Sequence, residues 1–281
     1  MCTIIGTMGD NTFWLGSNSD NPWDTRTKIY VNDEYTYKFI GTKLKSPKDD
    51  LPWSSMMTRG VNEAGIAFTF SFVQRDPEIP IPEGIDFEEF GRTILGEFST
   101  LVDIESYLKS TNMKISGNFL FADDRGTLLL AEFLPYESRF IWKKSDTMFR
   151  TNHFLELPTT TQELHPNSAL RFESLQKALD KYPLLDDRKL YLVNLLKNHE
   201  NDTENQQFGN SNCSHGEKGG TISSEIIDPQ SRTLWYNYGS PCGSKAQLDS
   251  WGNYVPFKLD ELDAGDVTTY EGKILAALEG E

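Results

Sequence analysis

Cys2 is the residue on which chemistry could turn. It opens a short β-rich run, Cys2-Thr3-Ile4-Ile5-Gly6, and once Met1 is removed it carries two reactive groups on one residue. The thiolate is the nucleophile, and an unperturbed thiol titrates near ~8.5. The α-amine titrates near ~7.7–8. It can take the thiol proton near neutral pH, directly or through one water, so nucleophile and base would sit together. A cysteine at the head of a strand is also a common small buried hydrophobe, and position alone leaves both readings open. No propeptide precedes Cys2 in the sequence, so removal of Met1 is the expected activation step.

Four β-rich pairs must position that residue. Cys2–Gly6 and Thr12–Asp20 flank a turn at Gly9-Asp10-Asn11. Ser54–Val61 and Ile66–Val73 flank Asn62-Glu63-Ala64-Gly65, and the second run alternates large apolar with small or polar residues, as a half-buried strand does. Asn118–Asp123 and Thr127–Phe133 form a third pair that Arg139–Trp142 extends, and Thr221–Ile227 with Thr233–Tyr236 forms the last. Lys28–Val31 reads as a further strand. Helical spacing marks Phe87–Leu95, Leu101–Leu108 with a start near Ser99, a stretch from Asn167-Ser168 to Tyr182, and Arg188–Leu196. Residues 43–53 and 75–86 read as loops, 199–220 as a long polar loop suited to a lid, and Gly272–Leu278 as a short helix. Tight turns between neighbouring strands predict antiparallel sheets with helices outside, an α+β layered domain.

The chain of 281 residues has a net charge of −15, which disfavours nucleic acid and anionic membrane surfaces as partners. No apolar run approaches the ~20 residues of a membrane helix, and no signal peptide is visible. Three cysteines, Cys2, Cys213 and Cys242, make no disulfide framework and point to a reducing cytoplasm. There is no Cys-x-x-Cys pair and the four histidines are scattered, so no metal site is expected.

The ordered set of segments resembles the N-terminal-nucleophile cysteine hydrolases related to choloylglycine hydrolase and penicillin V acylase, and within them the acyl-coenzyme A:6-aminopenicillanate acyltransferase branch. The resemblance spans residues 1–258, with 259–281 as a C-terminal extension, and it implies a four-layer αββα sandwich with two antiparallel sheets between helical layers. Cys2 matches the family nucleophile. Gly16-Ser17-Asn18-Ser19-Asp20 resembles the family's Gly-Arg-Asn-x-Asp segment, which puts Asp20 on the acid that holds the α-amine. Ser17 stands where many members carry Arg, which makes it a substrate-side residue without that charge, so a cation beside the thiol must come from elsewhere; Arg59 and Arg171 are candidates. Asn62-Glu63-Ala64-Gly65-Ile66-Ala67 is similar to a structural family turn, and the strand after it would bring Ser71 and Phe72 to the substrate, with a backbone N–H there on the oxyanion.

Thr151-Asn152-His153-Phe154 resembles a family segment whose Asn donates to the oxyanion, so Asn152 takes that role and His153 borders the substrate as a packed imidazole rather than a base. Asn167-Ser168-Ala169-Leu170-Arg171-Phe172 resembles a family helix start that makes Arg171 a site residue. Cys213-Ser214-His215 is similar to a Cys-Arg-His segment with the Arg missing, which gives His215 little weight. On composition alone, Asp20 also fits a turn, Asn152 a bend and Arg171 an exposed helix position. The resemblance implies an N-terminal cysteine amidohydrolase that cleaves a small-molecule amide through an acyl-thioester on Cys2, without metal or organic cofactor. Acyl transfer to an amine, a dipeptidase-like activity and a non-catalytic binding domain stay open, as does a homo-oligomer. The aromatic residues Phe68, Phe70 and Phe72 read as core and pocket wall; the aromatics near the expected site suggest an apolar acyl group, and the acidic surface a cationic amine.

Overall fold

The computed structural model describes all residues except 1, 10–12, 46–55, 77–79, 81–82, 115, 145, 158–165, 183, 200–208, 245–249 and 267–281. The turn expected at 9–11, the loops at 43–53 and 75–86, and the lid expected at 199–220 fall partly outside the described residues. The helix expected at 272–278 falls wholly outside them.

The strands are β1 (Cys2–Met8), β2 (Phe13–Pro22), β3 (Arg26–Asn32), β4 (Phe39–Lys45), β5 (Met57–Asn62) and β6 (Ile66–Phe72). Helices α1 (Phe87–Glu97) and α2 (Leu101–Ser110) follow, then β7 (Gly117–Asp123), β8 (Leu128–Leu134), β9 (Glu137–Lys143) and β10 (Thr147–Arg150). Next come α3 (Pro166–Lys181), α4 (Arg188–Leu196), β11 (Gly219–Asp228), β12 (Thr233–Tyr238), β13 (Val255–Lys258) and β14 (Gly265–Asp266). They build a six-stranded sheet, β10-β1-β2-β11-β12-β13, and an eight-stranded sheet, β14-β3-β4-β5-β6-β7-β8-β9. Every pairing in both sheets is antiparallel.

Side chains alternate across each strand, and this sorts the core into layers. Ile4, Leu15, Ile227, Val61, Ala67, Leu120 and Leu128 meet between the sheets. Phe68, Phe70, Phe119 and Phe121 point the other way, onto Phe87, Phe90 and Ile94 of α1 and Ile104 of α2. Ile5 and Ile226 face Leu175 of α3 and Leu192, Leu195 and Leu196 of α4. The result is an αββα sandwich. The helices start where the sequence allows: Asp86, Thr100 and Asp187 each accept a backbone N–H from three residues on. For α2 the cap is Thr100 rather than Ser99.

Two expectations change. Residues 43–45 are the end of β4, a strand that the Lys-rich composition of the stretch concealed. Phe68 and Phe70, expected as core and pocket wall, are core alone: they pack against the outer helices and so do not argue for an apolar substrate.

Candidate active site

Cys2 is fixed by the first hairpin. It lies opposite Ser19, and Ile4 lies opposite Ser17, so period-two alternation puts Cys2, Ser17 and Ser19 on the face toward the second sheet. Asn18 and Asp20 point to the helical side. There Asn18 Nδ2 donates to the Leu196 carbonyl at 2.9 Å and to the Asn212 carbonyl at 2.6 Å. A β-bulge in β11 between Thr221 and Ser223 changes the face of that strand next to Asp20. It aims the Thr221 hydroxyl at Asp20 Oδ1, 2.7 Å away, while Glu225, three rungs on, points between the sheets.

The Cys2 nitrogen donates to Asn152 Oδ1 at 2.8 Å. Arg171 Nη2 donates to the same oxygen, and Arg171 Nη1 reaches the Gly209 carbonyl at 2.5 Å. Asn152 Nδ2 donates to the Phe72 carbonyl at 2.5 Å. With two donors on one end of the amide and a carbonyl on the other, a flipped Asn152 would set N–H against N–H, so its orientation is determined by its neighbours. Asn152 therefore holds the Cys2 nitrogen, and one Nδ2 hydrogen beyond the Phe72 bond is left to reach a substrate oxygen.

Asp20, Asn152 and Arg171 are all essentially buried. Burial pushes the Asp20 carboxyl up from its usual range, against the lowering effect first of Arg171. Burial likewise lowers Arg171, and Asp20 and then Cys2 counter it. The arginine is the charge that makes an ionised Asp20 tolerable there.

The cation missing at Ser17 comes across the interior. Arg59 of β5 donates through Nε to Ser17 Oγ at 2.5 Å and pairs with Glu225 at 2.9 Å, both side chains fully buried. Its Nη2 reaches the Asn18 carbonyl at 3.3 Å, and Ser17 Oγ also meets Glu225 Oε2 at 3.1 Å. One guanidinium thus approaches from the second sheet and another, Arg171, from the helical layer.

The loop that carries Asn152 is pinned by Ser71 and by residues the sequence did not single out, Glu132 and Asn118 foremost. Glu132 of β8 pairs with Arg150 at 2.8 Å and accepts the N–H groups of Leu155, Glu156 and Leu157 at 2.9–3.0 Å. Asn118 Nδ2 donates to the Thr151 and His153 carbonyls at 2.9 and 3.1 Å, and Ser71 Oγ donates to the Thr151 carbonyl at 2.6 Å. Ser168, in the first turn of α3, accepts the Asn152 N–H at 2.6 Å. A charged residue amid apolar neighbours, as in Leu129-Leu130-Ala131-Glu132 and Glu225-Ile226-Ile227, was the available signal for Glu132 and Glu225.

Of the substrate-side expectations, Ser71 faces the site and is bonded to the Asn152 loop. Phe72 comes to the site with its carbonyl, since its ring packs on the outer core. Ser17 is part of the Arg59–Glu225 cluster. His153 is buried with Nδ1 at 2.8 Å from Ser168 Oγ and its ring edge-on to Phe172; burial lowers its pKa, so it is a neutral support.

The polar residues 209–215 are not a surface lid. Ser211, Asn212, Cys213, Ser214 and His215 are buried because their polar atoms bond to the site's strands. The ground for expecting no metal site also fails. His199, Cys213, His215 and Cys242, far apart in sequence, converge with their ligand atoms all within 4.8 Å of one another.

Comparison with known proteins gives three findings. The sequence matches, over residues 7–242, the family described as acyl-coenzyme A:6-aminopenicillanic acid acyl-transferase. A search of curated proteins by sequence finds no match. The fold is similar to that of a mutant conjugated bile acid hydrolase from Clostridium perfringens, at TM-score 0.56 and 12% identity, covering 94% of each chain. It is also similar to penicillin V acylase from Agrobacterium tumefaciens, at TM-score 0.55 and 15% identity, covering 94% of this chain and 87% of that one. At these identities the likeness is one of fold, the same two-sheet sandwich. No helix among the described residues is long and apolar enough to cross a membrane.

Proposed function

Since the chain belongs to the acyl-coenzyme A:6-aminopenicillanic acid acyl-transferase family, we propose that it is an N-terminal cysteine amidohydrolase acting on a small-molecule amide. The observation that carries this reading is the buried join between the Cys2 nitrogen and Asn152 Oδ1, shared with Arg171 beside Asp20. With Met1 gone, that nitrogen is the α-amine, and Asn152 orients it beside its own thiol.

The amine takes the thiol proton and becomes an ammonium, which buried Asp20 favours. The thiolate attacks the amide carbon. The remaining Asn152 Nδ2 hydrogen and a backbone N–H near Ser71-Phe72 stabilise the oxyanion. Loss of one such donor costs about 2.7–4 kcal/mol in comparable holes. The C–N bond breaks, the ammonium returns its proton to the leaving amine, and an acyl-thioester remains on Cys2. Water, deprotonated by the α-amine, then releases the acid and restores the thiol. The family's description favours a second resolution, in which an amine takes the acyl group in place of water.

The −15 charge suits a small neutral or cationic substrate and neither nucleic acid nor an anionic membrane. Free cysteines suit a reducing cytoplasm.

Intact mass with brief iodoacetamide treatment at neutral pH tests the nucleophile. The expected result is loss of Met1 and alkylation mapping to Cys2. An acyl-amide panel with and without acceptor amines then separates hydrolysis from transfer, and Cys2→Ala should be inactive on both. Protein that turns over substrate with Met1 retained would remove the α-amine as base, and unchanged function in Cys2→Ala would favour a binding domain.

A further inference from the structure

The cluster at His199, Cys213, His215 and Cys242 takes no part in the chemistry above. His199 follows the C-terminus of α4. Cys213 and His215 lie on the segment between α4 and β11, and Cys242 lies in the turn after β12. Cys213 Sγ is 3.5 Å and Cys242 Sγ 3.2 Å from His215 Nε2. The His199 and His215 rings lie almost parallel, with centroids 5.0 Å apart. A tetrahedron with Zn–S near 2.3 Å and Zn–N near 2.05 Å has S···N edges of about 3.6 Å, so these two contacts already lie close to tetrahedral edges and no ligand pair, all within 4.8 Å, has far to move to close on a metal. The other nitrogen of His215, Nδ1, faces the Ser240 hydroxyl at 3.4 Å, the kind of outer contact that orients a metal-binding imidazole.

We propose that His199, Cys213, His215 and Cys242 bind one Zn2+ as a Cys2His2 structural site. Four protein ligands close the coordination sphere and leave no position for a substrate. Binding replaces the two thiol protons, which go to solvent.

The site's value to the protein lies in what it ties down. Cys213 N donates to the Asn198 carbonyl at 3.1 Å, and Asn212 offers its carbonyl to Asn18. Ser214 N donates to Thr221 Oγ1 at 2.8 Å, the hydroxyl that in turn donates to Asp20. Ser214 Oγ accepts the Gly209 N–H at 2.7 Å, and the Gly209 carbonyl holds Arg171. The metal would thus anchor one polar segment that positions both Asp20 and Arg171 from behind.

The test reads metal rather than turnover, so it stands or falls apart from the proposed catalysis. Full-length protein purified under reducing conditions should carry about one zinc per chain by mass spectrometric metal analysis. Protein stripped with a chelator and titrated with Co2+ should show the intense d–d bands of a tetrahedral site and a thiolate-to-cobalt charge-transfer band, both abolished by added Zn2+. Cys242→Ser, at an exposed position, should fold by circular dichroism and bind Zn2+ more than about tenfold more weakly; His199→Asn should do the same. Cys2→Ala should retain full metal content. A Co2+ spectrum without a charge-transfer band, or one unchanged in Cys242→Ser and His199→Asn, would overturn the assignment. So would a native mass lighter by two hydrogens and restored by reductant, which would make Cys213 and Cys242 a disulfide.

Discussion

Arg171→Met is the most informative single change. The side chain is fully buried, donates to Asn152 and Gly209, and is the foremost influence lowering Asp20. Methionine approximates its length without its charge. Removing one partner of a buried charge pair typically costs about 3–5 kcal/mol. Asp20 can limit the loss by binding a proton, which places the expectation near the low end, about 3 kcal/mol. With an unfolding entropy of about 2.1 cal/mol/K per residue, that corresponds to a Tm about 5 °C lower. Asp20 already has a raised pKa, and without Arg171 it rises further. A carboxyl with a raised folded pKa contributes stability that is present below its unfolded value, 3.8, and is lost as pH rises through the folded value. The Tm deficit of the variant should therefore grow as pH rises through the folded-state pKa of Asp20 and shrink on acidification. Catalysis should fall with it: Asn152 loses the donor that holds its amide while it holds the Cys2 nitrogen, and kcat/KM should drop about 10²–10³-fold. Thermal melts across pH and kcat/KM on an acyl amide, repeated in an Asp20→Asn background, check both statements. The stability effects should couple by more than about 0.5 kcal/mol. Additive effects, or a Tm deficit independent of pH, would refute the Arg171–Asp20 linkage.

Three further outcomes follow from other contacts. Arg59→Met and Glu225→Leu should each cost about 3–5 kcal/mol in urea unfolding, because each strands a buried charge, and the double variant should recover most of that loss. Glu132→Gln should weaken the hold on the Leu155–Leu157 N–H groups and lower kcat more than it raises KM, a split that steady-state kinetics resolves. His153 has a lowered folded pKa, so its contribution is present above its unfolded value of 6.5 and is lost as pH falls below that; His153→Gln should flatten this part of the stability profile in chemical unfolding.

Local pattern was enough to reveal the hairpins: Ile66–Phe72 alternates large apolar with small or polar residues, and Leu128–Leu134 is a short apolar run that directly follows a turn. Helix α4 was equally plain, since its apolar residues recur at helical spacing. Cys2 announced itself because position 2 gives a cysteine an amine of its own. Pairing across long separations was invisible. No property of Ser17 alone tells that Arg59, 42 residues on, will donate to it. The bulge between Thr221 and Ser223, which turns Thr221 toward Asp20 and Glu225 toward Arg59, is a register event set by the neighbouring strand. Which face Phe68 and Phe70 would take depended on which layer the helices cover. The four metal-binding candidates come from three separate segments, and only the fold brings them within reach of one ion. Sequence determined most of the elements and marked Cys2 as the candidate nucleophile because these obey short-range periodicity and chemistry. The tertiary structure decided the charges around them because burial, which governs what a charge costs, is a property of the assembled layers.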